Sequence, residues 1–378
     1  MAGARILPFV RLPLASVAPA PQPPTSASEG RHLMSSMHRR KASRTSKVIG
    51  ATAAVVVAGG AAFALSGAAN ADTVSEKPAA AAGGGFAPYI DTSLYPAYDM
   101  VGTAEKTGVK EFNLAFITSG GGCTPKWGGV TDLGNDEVAK QTDALRAKGG
   151  DVRVSFGGAS GSELGLVCSS ADELADAYGK VVDAYKLTKV DFDIEGSALP
   201  NKEANTRRAQ AIAKLQQSHP DLDVSLTLPV LPTGLTQDGV DLVANAKENG
   251  VKVSAVNIMA MDYGASFDGD MGQYAIDAAT ATQGQIKDAL GLGDDEAWKA
   301  VAVTPMIGVN DVKTEIFTVD DAAQLVEFAK SKGLGWLSMW SATRDKQCPA
   351  PQDTASPTCS SIDQEELAFT KAFGAYTG

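Results

Sequence analysis

Eight short runs rich in β-branched and aromatic residues recur along residues 86–345, and segments with helical spacing separate them. The runs are FAPYIDTSL (86–94), EFNLAFITS (111–119), DVRVSFGG (151–158), KVDFDIEG (189–196), DLDVSLTLPV (221–230), VSAVNIMAMDYG (253–264), AVAVTPMIGVN (300–310) and LGWLSMWSATRD (334–345). Among the intervening segments, 135–150 opens on the capping candidates Asn135 and Asp136 and closes on glycines. Segments 171–186, 203–217, 240–250 and 319–333 repeat apolar residues three and four apart. Strands that alternate with helices at this interval must pair in parallel, since each helix returns the chain to the same edge. Eight such units in under 300 residues predict an α/β protein of the (β/α)8 barrel (TIM barrel) class, in which catalytic groups gather at the carboxyl ends of the strands. The other parallel architecture, an open doubly wound sheet, lacks its signature here, because no G-x-G-x-x-G follows the first run.

The fourth run carries a second constraint. In KVDFDIEG three carboxylates alternate with apolar residues, and residues two apart on a strand share a face. Asp191, Asp193 and Glu195 therefore point into the barrel, while Val190, Phe192 and Ile194 face the helices. Asp191 lies deepest and Glu195 reaches the rim. Carboxyls crowded in this way cannot all ionise easily, so at least one keeps its proton toward neutral pH. A carboxyl protonated at neutral pH is what a general acid requires.

Composition narrows the chemistry further. Of the three histidines only His219 lies beyond residue 71, in a helix-to-strand turn (QSHPDLD), where it reads as a surface residue. A Ser-His-Asp or Cys-His mechanism needs a histidine at its centre, and imidazole metal sites need several. Neither is available, and no metal or cofactor is expected. SGGGC (119–123) lacks the lysine and helix start of a phosphate loop and reads as a plain flexible loop.

The amino terminus is organised differently. MHRRKASRTSK (37–47) is basic, a small-residue apolar stretch follows, and Ala69-Asn70-Ala71 closes it. That order predicts a secretory signal region over residues 1–71 with cleavage after Ala71. The Pro- and Ser-rich stretch before Met34 has no place in a signal peptide and is consistent with an over-extended translation start. Arg39-Arg40 raises a twin-arginine route, but the residues after the pair fit it poorly. Residues 72–85 read as a flexible linker and residues 86–378 as one catalytic barrel. The first 71 residues hold eight of the 33 Lys/Arg and one of the 44 Asp/Glu, which leaves 25 basic against 43 acidic and a formal charge of −18. Such an acidic secreted chain repels nucleic acid and anionic membranes, so a neutral substrate and no membrane association after cleavage are expected. In an oxidising compartment the four cysteines favour two disulfides. Four cysteines allow three connectivities. Cys348 with Cys359 closes a short Pro-rich loop, which leaves Cys123 for Cys168.

The motifs resemble those of the chitinases of glycoside hydrolase family 18. The family's fourth-strand pattern D-x-x-D-x-D-x-E matches in its last three acids, Asp191, Asp193 and Glu195. Thr188 stands in place of the leading acid and Lys189 in place of the usual glycine, a change expected to affect strand entry. SFGG (Ser155 to Gly158) corresponds to S-x-G-G on the third strand. NIMAMDYG is similar to M-x-Y-D on the sixth, with Met261 and Tyr263 aligned, Gly264 in the place of the final Asp, and Asp262 one residue early. GWLSMWS places Trp340 where the family keeps a tryptophan under the sugar. The resemblance covers nearly all of residues 86–378, closest to the bacterial (actinomycete-like) single-domain secreted type.

The resemblance implies retaining hydrolysis in which the substrate's own N-acetyl oxygen attacks the anomeric carbon. Glu195 would act as acid and then base, Asp193 would steady the acetamido nitrogen, Asp191 would tune Asp193, and Tyr263 would hydrogen-bond the acetamido oxygen. Trp340, Met261, Asp262, Tyr89, Ser155 and Gly157 are the expected substrate-side residues. The implied partners are chitin or N-acetylglucosamine oligosaccharides, met by a monomer. Asp91 and Trp127 are weighed equally between site and packing, and Trp298 is expected to be structural. An endo-β-N-acetylglucosaminidase on N-glycan cores and a non-hydrolytic chitin-binding lectin are the two other readings.

Overall fold

The computed structural model describes residues 85–378. The signal-region reading, and all of the linker except Gly85, lie outside the described residues.

Each of the eight runs contains a strand: β1 Tyr89–Asp91, β2 Glu111–Ser119, β3 Asp151–Gly157, β4 Lys189–Asp193, β5 Asp223–Leu231, β6 Ala255–Ala260, β7 Val301–Pro305 and β8 Trp336–Leu337. They pair in parallel in chain order. β8 returns to the chain at the start of β1, where Leu337 N donates to Gly85 O and Ala87 N to Leu337 O, both at 2.9 Å. The sheet therefore closes into the expected barrel and leaves no open edge.

Helices α1 Met100–Thr107, α2 Thr142–Arg146, α3 Ala171–Tyr185, α4 Lys202–Ser218, α5 Gln237–Glu248, α6 Met271–Leu290 and α7 Val319–Lys332 lie between the strands. A last helix, α8 Ala368–Phe373, stacks Phe373 on Phe86 beside the closure (centroids 5.3 Å). Ser170, Asn201, Thr236, Asp270 and Thr318 cap α3 to α7 by accepting first-turn N–H groups, which satisfies donors a helix start leaves unpaired. One expected helix is shorter than its pattern. In 135–150 Asp136 Oδ1 caps by accepting from Val138 and Ala139, but the turn it starts, Ala139–Gln141, is 3₁₀, Gln141 is drawn onto the start of α1, and the α-helical ladder begins only at Thr142. Tertiary docking there overrides the helical spacing.

The outward faces of the strands are apolar. Phe156 and Phe192 stack at 5.2 Å, and Tyr178 of α3 meets each edge-on at 4.9 Å. The inside differs from the branched aliphatic layers that fill many such barrels. Its lower layer holds Arg153, which donates to Asp223 at 2.7 Å and lies 5.4 Å from the centre of the Trp336 ring. Above it lie Ser155, Asp191, Ser225, Thr227, Asn257 and Thr304, all buried. Register makes this layer: Ser155 pairs with Asp191, Asp191 with Ser225, and Thr227 with Asn257. Both expected disulfides are formed, Cys123–Cys168 and Cys348–Cys359.

Candidate active site

β4 delivers its acids at three depths. Asp191 has no exposure, Asp193 is 4% exposed, and Glu195, two residues past the strand end, is partly open. Thr188, in the place of the family's leading acid, lies at the other end of the strand and donates to Asp151 at 3.2 Å.

Asp191 is surrounded by hydroxyls. Oδ1 accepts from Ser225 (2.6 Å) and Thr227 (2.8 Å), and Oδ2 from Ser155 (2.6 Å) and Tyr89 (2.9 Å). Asn257 donates to Tyr89 Oη and Thr227 Oγ1 and is itself held by Thr304. Each Asp191 oxygen thus accepts from two hydroxyls.

Asp193 is the opposite case. Its Oδ1 is buried and has no hydrogen-bond partner. Burial first, then the charges of Glu195 and Asp191, push its carboxyl well above the ordinary aspartate range. Glu195 is raised as well, by burial first and then by Asp262. Removing a charged group from water disfavours its ionised form, and a like charge nearby adds to that cost.

These groups open onto a cleft of about 260 Å³ at the carboxyl end of the barrel. Tyr89, Asp193, Glu195, Met261, Asp262 and Trp340 all line it, as expected for site residues. Trp340 stacks on Phe116 with ring centres 5.5 Å apart. Phe116, Ala159, Thr227, Met259, Thr304, Met306 and Asp311 complete the wall. Ala159 directly follows the SFGG motif, and only the strand-end rule of the barrel could have pointed to the other six.

The sixth strand is where placement departs most from expectation. Alternation would turn Asp262 away from the side that Met261 faces, yet both line the cleft. The strand ends at Ala260, and Asp262 has a φ of 52°, a left-handed conformation that costs a non-glycine residue about 1 kcal/mol. That turn swings the carboxyl inward. Met259, two residues before Met261, shares the wall, so the lining pattern is Met259-x-Met261-Asp262. Tyr263 does not line the cleft. Its ring packs edge-on against Phe267 and Tyr274, and its buried hydroxyl has no hydrogen-bond partner.

Ser155 and Gly157 also sit behind the cleft wall. Ser155 faces Asp191, and Gly157 lies so close to β4 that a Cβ there would stand 2.1 Å from Asp193 O. Asp91 turns back to accept from Ser93, and Trp127 is buried with Nε1 donating to Tyr185 Oη at 2.7 Å. Trp127 is a packing residue here. Trp298 packs against Phe328 under Lys332, as a structural residue would.

Known proteins similar to this chain are chitinases. The chain is 36% identical to the catalytic domain of a hyperthermophilic chitinase from Pyrococcus furiosus, with a TM-score of 0.70, over 77% of this chain and 94% of that one. Catalytic-site mutants of active domain 2 of a thermostable chitinase from the same organism, complexed with chito-oligosaccharides, match at 35% identity and TM-score 0.70, over 77% and 93%. Among curated proteins, a "probable bifunctional chitinase/lysozyme" of Escherichia coli (strain K12) is 35% identical over 314 residues, 77% of this chain and 34% of that protein. Endochitinase 11 of Metarhizium anisopliae is 36% identical over 276 residues, 69% and 52%. The chain thus spans about a third and about half the length of these two curated relatives. No protein-family model matches the chain.

Proposed function

We propose that this chain, which belongs to the chitinases of glycoside hydrolase family 18, hydrolyses β-1,4 links between N-acetylglucosamine units with retention of configuration. The observation that carries the reading is the buried row of carboxyls that ends in Glu195 at the cleft rim, with Trp340 as an apolar wall beside it. A retaining glycosidase normally has a second carboxylate as nucleophile, but substrate-assisted enzymes use the N-acetyl group instead. The buried, unpartnered Oδ1 of Asp193 supports the second route, since it can accept the acetamido N–H and hold the developing positive charge. Glu195, which keeps its proton above the usual glutamate range, gives it to the leaving oxygen and then takes one from the attacking water. Trp340 offers the sugar ring an apolar surface.

Asp191 acts from beneath. Its oxygens are held by four hydroxyls, and its charge adds to the burial and the Glu195 charge that raise Asp193. Ser155→Ala removes one of those donors and loosens the carboxylate that faces Asp193 from beneath. We expect kcat to fall roughly tenfold with KM little changed, the size of one charge-assisted hydrogen bond. Steady-state kinetics on a chromogenic N-acetylglucosamine oligomer reads this, and an unchanged kcat would remove Asp191 from the scheme.

The remaining parts of the reading follow from the sequence: an exported, monomeric, bacterial-type enzyme that needs no cofactor. The test of function is cleavage of a soluble N-acetylglucosamine hexamer, with the anomeric form of fresh products followed by NMR. β-anomeric products support retention through the N-acetyl group. Fresh α-anomer sinks it. Binding without cleavage leaves a lectin, and neither binding nor cleavage turns the search to N-glycan cores.

A further inference from the structure

One buried carboxyl beside the cleft has no part in the chemistry just described. Glu315, on the loop between β7 and α7, has no exposure to solvent. Its Oε2 accepts the N–H of Tyr263 at 3.1 Å and its Oε1 the N–H of Gly264 at 2.8 Å. The grip is mutual, because Asp262 Oδ1 accepts the N–H of Val312 at 2.8 Å, three residues before Glu315. The loop is also tied to itself, by Asn310 N to Glu315 O (3.0 Å) and Glu315 N to Val312 O (2.8 Å). Between the two halves of this clasp stands Asp262. Of the described non-glycine residues with positive φ, Lys186, Asp262, Ser361 and Leu367, it alone lines the cleft.

A left-handed aspartate tends to relax to an extended conformation, and that would carry its carboxyl away from Glu195. Two successive N–H groups held by the two oxygens of one buried carboxylate prevent this, since either bond lost would leave a buried donor unpaired. We propose that Glu315 is a positioning residue, which locks the turn after β6 so that the Asp262 carboxyl stays beside the general acid. The proposal rests on the reading of Glu195 as acid and base.

The charges around the clasp fix the direction of the effect. Glu195 faces Asp262 from just past β4, Asp311 and Glu315 from the loop after β7, and Arg344 from beyond β8, while Asp277 of α6 faces Tyr263. Asp262 is raised by burial and by Asp311, against the Val312 N–H and Arg344, which favour its ionised form. It in turn adds to the burial that raises Glu195. Negative charge moved away from Glu195 weakens its hold on the proton. The alkaline limb of kcat, where the acid is lost, must then move to lower pH.

The experiment measures kcat and KM against pH on the N-acetylglucosamine hexamer for the full chain, Glu315→Gln, Asp262→Asn and the double variant. Glutamine keeps the shape of Glu315 but can serve only one N–H group and turns its amide donors toward the other. We expect kcat down roughly tenfold, KM within about threefold, and the alkaline limb displaced downward in the same direction as in Asp262→Asn. The double variant should show no further displacement, because Glu315 acts only through Asp262. Glu315→Asp, which retains both oxygens, should bring the limb part of the way back, and it carries the test if Glu315→Gln yields no soluble protein. An active wild type with an unmoved limb, or an equal displacement in the Asp262→Asn background, overturns the clasp alone. A wild type that cleaves nothing overturns both readings.

Discussion

Glu195→Gln should reduce kcat on N-acetylglucosamine oligomers by about 10³-fold while leaving KM and the far-UV circular dichroism close to those of the wild type. Glutamine has the size of glutamate, and Glu195 stands past the end of β4 and partly open, so little packing depends on its charge. What disappears is the proton that must reach the leaving oxygen and the base that must activate water. General acid–base groups commonly contribute 10²–10⁴ in rate, and one residue that serves both steps belongs in the upper part of that range. The wild-type pH profile gives the same residue a second signature. Burial and then Asp262 raise Glu195 above its ordinary value of 4.5, so activity should persist past the pH at which a free glutamate has lost its proton. The limb should fall back toward the ordinary range in Asp262→Asn. A Glu195→Gln variant within tenfold of wild type would mean that another group carries the proton.

Much of this site was legible because β4 obeys a simple geometry. A period of two places Asp191, Asp193 and Glu195 on one face, and the parallel barrel turns that face inward. Ser155 and Gly157 were legible as part of a motif, yet their work is behind the wall, against Asp191 and the β4 backbone, which a motif does not state. Asp262 was legible as a site residue from the sixth-strand motif, but not the way it gets there: its positive φ breaks the strand alternation that would otherwise turn it from the side Met261 faces. Glu315 was hidden by distance, because nothing in residues 310–317 announces that the loop folds back on residues 262–264. The helices show the same division. α6, MGQYAIDAATATQGQIKDAL, is too rich in alanine, threonine and glycine to display a strong apolar stripe, while α3 displays one clearly. Segment 135–150 displayed good spacing, and Asp136 caps it, but its first turn is 3₁₀ and Gln141 is tied to the start of α1.

The largest structural effect is expected at Gly157. Its φ is 104°, a region that side chains rarely enter, and an added Cβ would stand 2.1 Å from Asp193 O and 3.1 Å from Asp193 C. Those are backbone atoms of the neighbouring strand, paired with Gly157 in register and tied by Gly158 N to Asp193 O at 3.0 Å, so they cannot turn aside as a side chain would. Gly157→Ala must therefore part β3 from β4 at the level where β4 presents Asp193. Strain and lost ladder bonds together should cost about 3–5 kcal/mol, seen as a fall in Tm of roughly 5–10 °C. Activity should fall with stability, because the displaced strand carries the reacting acids. Gly196→Ala is the matched control: its φ is 53°, but no atom lies within 4 Å of the added Cβ, so it should cost only about 1 kcal/mol. If the two variants melt together, backbone conformation alone explains the glycine. If Gly157→Ala melts well below its control, the close approach of two strands is what the third-strand glycine permits, and the acids of β4 can stand where they do only because that position lacks a side chain.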